Sequence, residues 1–485
     1  MSFSSSSASP SAGEVFRSKA TPDGKSRAGF FSKELKDARK EWAKLTFLTF
    51  GMITVFMFLF LSIYFGSYYR QIPRASHFSI EILDLDSAAS PTGVPHPAIL
   101  GPAIREAVQN SLTSEPHLGW YEADSATVRQ FQLIPGGQGL DPLQYAQEKV
   151  LNQDVWAVLV VNANATSGVW AGLTEGTTWE PMGAMTFVYE EARNFYASGQ
   201  YVSRLSTQLM TTAGNSAATT LASQILALGN ASAVLTTGAQ ARAVASPFAY
   251  NQHNLRPFDQ LAGIASTTVG TVYLIIFTFL ISVTWNNQGL PLIQDSLTLT
   301  SEVLVKLIVP FLAYFWLSLH YSLVSLAFLI NFTREFGKGG FMVYWMANWI
   351  TMSALGFVME TMFLWLGPFF PFFLIFWVIL NVTTAFLDIG DMATFYRYGY
   401  WTPIWNLVDA AKCVIFATKN HLVQNFAVNL GWLVIWMILL SITVVVQRRK
   451  KEKQVMQEKW EEIKRVDAEQ TGGAASSGNE KGKRS

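Results

Sequence analysis

The residues best able to do chemistry in this chain are few and scattered. Asp23-Gly24-Lys25-Ser26 ends like a phosphate-binding loop, but Lys19 stands where the first glycine of such a loop belongs. That loop works by presenting backbone amides between a buried strand and a helix, and no such pair flanks this stretch. The six histidines, at positions 77, 96, 117, 253, 320 and 421, share no ligand spacing, and the single Cys413 builds no zinc site. No Gly-x-Ser-x-Gly elbow occurs. These patterns point away from an enzyme, a resident metal or a cofactor.

Polar side chains inside long apolar runs carry more information, because burying them in hydrocarbon costs free energy. His320, Glu360 and Asn381 each fall within such a run. Each can bond a neighbouring helix, as the amide of Asn381 is expected to do, or line a polar path between helices. For Glu360 the path would carry protons or cations, with His320 as a distant relay partner.

The elements that must hold these groups are membrane helices. Half of the 485 residues are hydrophobic and 14% are charged, against about a quarter charged in a soluble domain. Six runs are long enough to cross about 30 Å of hydrocarbon: 45–66, 264–285, 304–330, 341–366, 371–387 and 430–446. The first starts too far into the chain, and lacks the small-residue cleavage site, to be a signal peptide. Residues 1–44 carry nine Lys/Arg against five Asp/Glu, residues 447–485 eleven against seven, and residues 67–263 nine against fifteen. Basic tails and an acidic middle predict both termini in the cytosol and the long segment outside. Arg334 and Lys338, in a short loop on the predicted outer side, run against that trend.

Residues 1–29 are Ser-rich and aperiodic, as a disordered tail would be. Phe31, Leu35, Ala38, Trp42 and Leu45 recur at helical spacing among lysines and arginines. That predicts an amphipathic helix over 30–44, lying on an anionic inner leaflet. Within 67–263, FSIEILDL (78–85), DVWAVLVVN (154–162) and 185–189 read as strands. Residues 101–111, 141–151 and 192–228 read as helices, the second opened by an Asp141 cap and Pro142. Together they predict an α/β extracellular domain. Without a second cysteine it must stand on its own core, and Asn164 and Asn230 are its glycosylation sequons. Its small-residue helix leaves room for a homo-oligomer. The tail after 447 has opposite charges repeatedly four apart and reads as a cytosolic helix, not a nucleic-acid-binding surface.

Between the last two apolar runs lies RYGYWTPIWNLVDAAKCVIFATKNH, residues 397–421. Thr402 and Pro403 suit a helix start, and Ile404, Leu407, Val408, Ala411 and Ile415 share a face. A helix over 403–418 would be about 24 Å long and carries Asp409 and Lys412, too short and too charged to span. It is expected to be a re-entrant or interfacial helix on the outer side, its backbone covered by protein.

This segment resembles the closing signature of the fungal nitrosoguanidine-resistance family. The match runs through Arg397, Tyr398, Gly399, Tyr400, Pro403, Asn406, Thr418, Lys419 and Asn420. FGSYYR, VWAVLVVNANAT and TFVYEEARNFYASGQYVSRL add to the likeness, which covers about residues 44–446. The family is distantly similar to phage-infection proteins and to the membrane domains of type-2 ATP-binding-cassette exporters. The resemblance implies a polytopic α-helical membrane protein with six transmembrane helices and a large α/β extracellular domain between the first and second. It implies a plasma-membrane role in drug resistance, by exporting toxic compounds or organising membrane lipids, and it supplies no catalytic residue. The alternative is a scaffold or sensor that binds a ligand or partner through its outer domain. An ATPase partner in trans is disfavoured, because the loop 286–301 has no Lys or Arg with which to dock one.

Overall fold

The computed structural model describes residues 30–89, 96–132, 141–228 and 238–480. The Asp23–Ser26 stretch, the expected tail 1–29 and the Asn230 sequon lie outside the described residues. One compact unit ends at Ser62 and the other begins at Ile63.

In the first unit, helix α1 (Lys36–Tyr68) starts after a short aromatic cluster and continues past the unit's end. Arg39 donates to the Ser32 carbonyl at 2.8 Å, and Trp42 meets Phe30 edge-on at 5.5 Å. The separate helix expected over 30–44 is therefore the first part of one continuous helix. No Gly or Pro between Lys36 and Phe50 interrupts it.

The second unit begins with a mixed five-stranded sheet. Its strands are β1 (Ser79–Asp84), β2 (Gly119–Glu122), β3 (Ala157–Val161), β4 (Met185–Tyr189) and β5 (Tyr250–Asn254), in the order β2-β1-β3-β4-β5. β1 runs parallel to β2 and β3, with Ile82 opposite Leu159. β3 runs antiparallel to β4, with Leu159 opposite Phe187, and β4 parallel to β5. Alternate side chains divide between two cores. Ile80, Ile82, Leu159 and Phe187 pack under α2 (Leu100–Ser111), α4 (Ala165–Thr174) and α5 (Arg204–Ala227). Leu83, Val158, Val160 and Val188 pack under α3 (Pro142–Leu151), whose Asp141 side chain accepts from the Leu143 amide at 3.1 Å. The long helix expected over 192–228 is broken near its start by a π-helical turn, Ser198–Ser203, before α5.

Helices α6 (Val269–Thr284), α7 (Leu299–Ala327), α8 (Gly340–Leu366), α9 (Phe370–Phe386), α10 (Pro403–Phe416) and α11 (Leu422–Glu480) follow. Among the described residues, five helical runs are long and apolar enough to cross a membrane, where six were expected. The expected fourth and fifth spans fall in one run, Thr333–Phe386. Within it, Gly367 (φ +50°) separates α8 from α9. That dihedral excludes a continuous helix and is one that glycine adopts without strain. α10 is almost entirely buried, flanked by α8, α9 and α11, so its backbone is covered by protein.

Candidate functional site

The site grows from the start of α7. Thr298 caps that helix, accepting from the Ser301 amide at 3.3 Å, which places Glu302 and Lys306 one turn apart on an inward face. Both are buried. Lys306 donates to the Asn286 side-chain oxygen at 3.4 Å, and the Asn286 amide donates to Glu360 Oε2 at 2.5 Å. Glu360 comes from the last third of α8 and is 2% exposed. The buried hydroxyls of Ser282 and Tyr314 stand beside it. Gly356 lets Tyr314 lie against α8, since a Cβ there would come within 2.2 Å of the ring.

Asn286 and Lys306 form part of the wall of a cavity of about 850 Å³. Phe363, Leu364, Val444, Val455 and Met456 give it an apolar side. Its rim is ionic. Arg448 donates to Glu302 at 2.6 Å and to the Leu297 carbonyl at 2.8 Å, while Lys451 pairs with Asp295 at 3.1 Å. Gln294 completes Glu302 at 2.6 Å, and Gln447 holds the Leu364 carbonyl at 2.7 Å. The loop expected to offer little for docking is thus engaged by α11. A cavity of this size with one apolar side and a few fixed polar groups suits an amphiphilic ligand.

The sequence-selected residues separate. Glu360 belongs to this site. His320 does not: it is exposed on α7, bonds its own helix at the Trp316 carbonyl (2.8 Å) and lies tilted against the Trp316 ring. It is not among the groups bonded to Glu360. Asn381 is fully buried in α9, donating to the Trp377 carbonyl at 3.0 Å and accepting from the Ile404 amide at 3.4 Å, which ties α9 to the start of α10.

The 397–421 segment is a scaffold of local bonds. Asn406 donates to the Tyr400 and Thr402 carbonyls at 3.0 and 2.9 Å, and Pro403 opens α10. A side chain on Gly399 would strike Thr384 at 2.4 Å. Tyr398 has a buried hydroxyl with no hydrogen-bond partner among the described residues, while Arg397 and Tyr400 are exposed. Lys419 reaches the Asn152 carbonyl at 2.6 Å, and Asn420 accepts from the Leu422 amide at the head of α11. In the Asn164 sequon the asparagine is exposed, but Thr166 is buried and donates to Asp86 at 2.6 Å.

Sequence reading missed Asn286, Glu302, Lys306 and Arg448. The available signal was Glu302 and Lys306 four apart at the head of an apolar helix, where charge looks like ordinary interfacial decoration.

No solved structure matches the chain. It is similar to a Saccharomyces cerevisiae protein described as an uncharacterized endoplasmic reticulum membrane protein, 29% identical over 199 residues. That match covers 40% of this chain and 39% of the relative's length. The family described as Protein of unknown function (DUF3533) matches residues 49–438. With its membrane-length helices and a match over most of its length, the chain is a membrane protein that belongs to the DUF3533 family.

Proposed function

We propose that this protein moves amphiphilic molecules across or between the leaflets of its membrane, toxic compounds or lipids among them, in the manner of fungal nitrosoguanidine resistance. The observation that carries the reading is the 850 Å³ cavity with an apolar wall, an ionic rim and a polar chain leading through Lys306 and Asn286 to the buried Glu360. On this reading α8 and α9 are two crossings that reverse at Gly367, which makes six. Both termini are then cytosolic, the sheet domain lies outside, and α10 is re-entrant from the outer side. The plasma membrane is the proposed location, with the endoplasmic reticulum of the relative as the alternative. Membrane lipids are the proposed partners and a homo-oligomer is compatible. An ATPase in trans is disfavoured because Asp295 and the Leu297 carbonyl on the 286–301 loop are engaged by α11.

The test is the purified full chain in lipid vesicles, followed by dye and labelled-lipid movement with and without a proton gradient. Movement above empty vesicles is expected. Glu360→Gln keeps an oxygen for Asn286 and removes the titratable charge, so gradient-stimulated movement is expected to fall at least about tenfold at normal abundance. Full activity of that variant would remove Glu360 from the mechanism. Absence of movement in the unaltered protein would favour a scaffold or sensor.

A further inference from the structure

A second cavity, about 180 Å³, lies where the sheet domain meets α10. Gln153, Arg193 and Asn194 line it from the domain, and Asp388, Lys412 and Tyr400 are among its residues from the membrane helices and their connections. Its charges are arranged without being paired. Arg193 donates to the Val155 carbonyl at 2.9 Å and lies 4.0 Å over the Trp156 ring. Lys412 donates to the Arg193 carbonyl at 3.0 Å. Asp388 accepts from the Gly390 amide at 2.8 Å. Among the described residues, none of these three side chains is in an ion pair. Asp409 in the same wall is different, held by His421 at 3.2 Å and Asn425 at 3.0 Å.

Two cations and one carboxylate line this small cavity without forming an ion pair among the described residues, with Asp409 and the buried Glu190 as the other carboxylates whose charge acts on Lys412. Lys412 and Arg193 are half-buried between the domain and the helices, so their charge is partly shielded from water. The volume equals roughly six waters' share of liquid, too small for a drug-sized molecule and sufficient for a polar headgroup. One ligand chemistry neutralises all three groups: an anionic oxygen group facing Arg193 and Lys412, with an ammonium a few bonds away facing Asp388. Arginine and lysine together suit phosphate or carboxylate oxygens.

We propose that this cavity is a binding site for a small zwitterion of the phosphoethanolamine type, joining the sheet domain to α10. The site is separate from the 850 Å³ cavity, and its occupancy does not depend on whether the protein transports.

The experiment uses the full chain in a non-ionic detergent, reading thermal stability and calorimetric binding with phosphoethanolamine, inorganic phosphate and ethanolamine. Phosphoethanolamine is expected to bind and to raise the melting temperature, with each fragment at least about tenfold weaker. Asp388→Asn keeps the cap on Gly390 and should bring phosphoethanolamine down to the affinity of phosphate alone. Nanodiscs containing phosphatidylethanolamine or only phosphatidylglycerol separate the two sources. Loss of soluble binding in the first nanodisc alone identifies a lipid headgroup, and equal binding in both identifies a soluble ligand. No stabilisation of the unaltered protein by phosphoethanolamine, or equal stabilisation by phosphate, would overturn the proposal independently of any variant's folding.

Discussion

At the scale of single residues, Glu190 follows the last residue of β4 and is 1% exposed. Burial pushes its pKa up from 4.5 to about 7, against the pull of Arg193, Arg256 and Lys412. Because the folded state holds the proton more tightly, this group's contribution to stability is full below about pH 4.5. It is lost as pH rises through about 7. The loss is on the order of 3 kcal/mol. Thermal unfolding from pH 5 to 8 should show that decline, and Glu190→Gln should flatten it; an unchanged slope would show that another group sets it. Asp391, which burial also raises to about 7, works in the same direction. Glu360 was legible in the sequence because it interrupts an apolar run. Glu190 and Arg193 were not, since EEARN reads as an ordinary polar turn. Contacts distant in sequence bury that turn: Lys412 of α10 reaches the Arg193 carbonyl, and the Ala192 amide bonds the Arg256 carbonyl.

At the scale of elements, close helix contact depends on small residues in the right register. Gly356 on α8 faces Tyr314 on α7, so Gly356→Val must push the two helices apart or displace a fully buried ring. A cost of about 1–3 kcal/mol is expected, seen as a lower melting temperature and lower membrane abundance. Normal values for both would show that Tyr314 moves freely. The strands that sequence reading found, β1, β3 and β4, are the central ones, whose β-branched and aromatic runs are buried. The two it missed, β2 (GWYE) and β5 (YNQHN), are the sheet's edges, with exposed polar positions and no apolar run to mark them. The π-helical turn before α5 was hidden for a related reason, as residues 198–203 continue a helical pattern without Pro.

At the scale of the molecule, membrane class was legible from composition alone. The break at Gly367 falls between the runs 341–366 and 371–387 read from the sequence, whereas length and hydropathy alone join α8 and α9 into one run. Cys413 reports on the whole second unit: it is the only thiol and is fully buried in α10. Maleimide labelling of the folded chain in detergent should be at least about a hundredfold slower than of the denatured chain. Rapid, complete labelling under native conditions would mean that α10 opens readily. The two cavities also share a mechanical part. Asn425, bonded to Asp409 beside the smaller cavity, and Arg448, on the rim of the larger, lie on the same uninterrupted helix α11, 23 residues or about 35 Å apart. A helix of that length behaves as a stiff rod. If it pivots about its middle the two ends move in opposite directions, so a displacement at the Asp409 end is expected to act as leverage on the Arg448–Glu302 clasp.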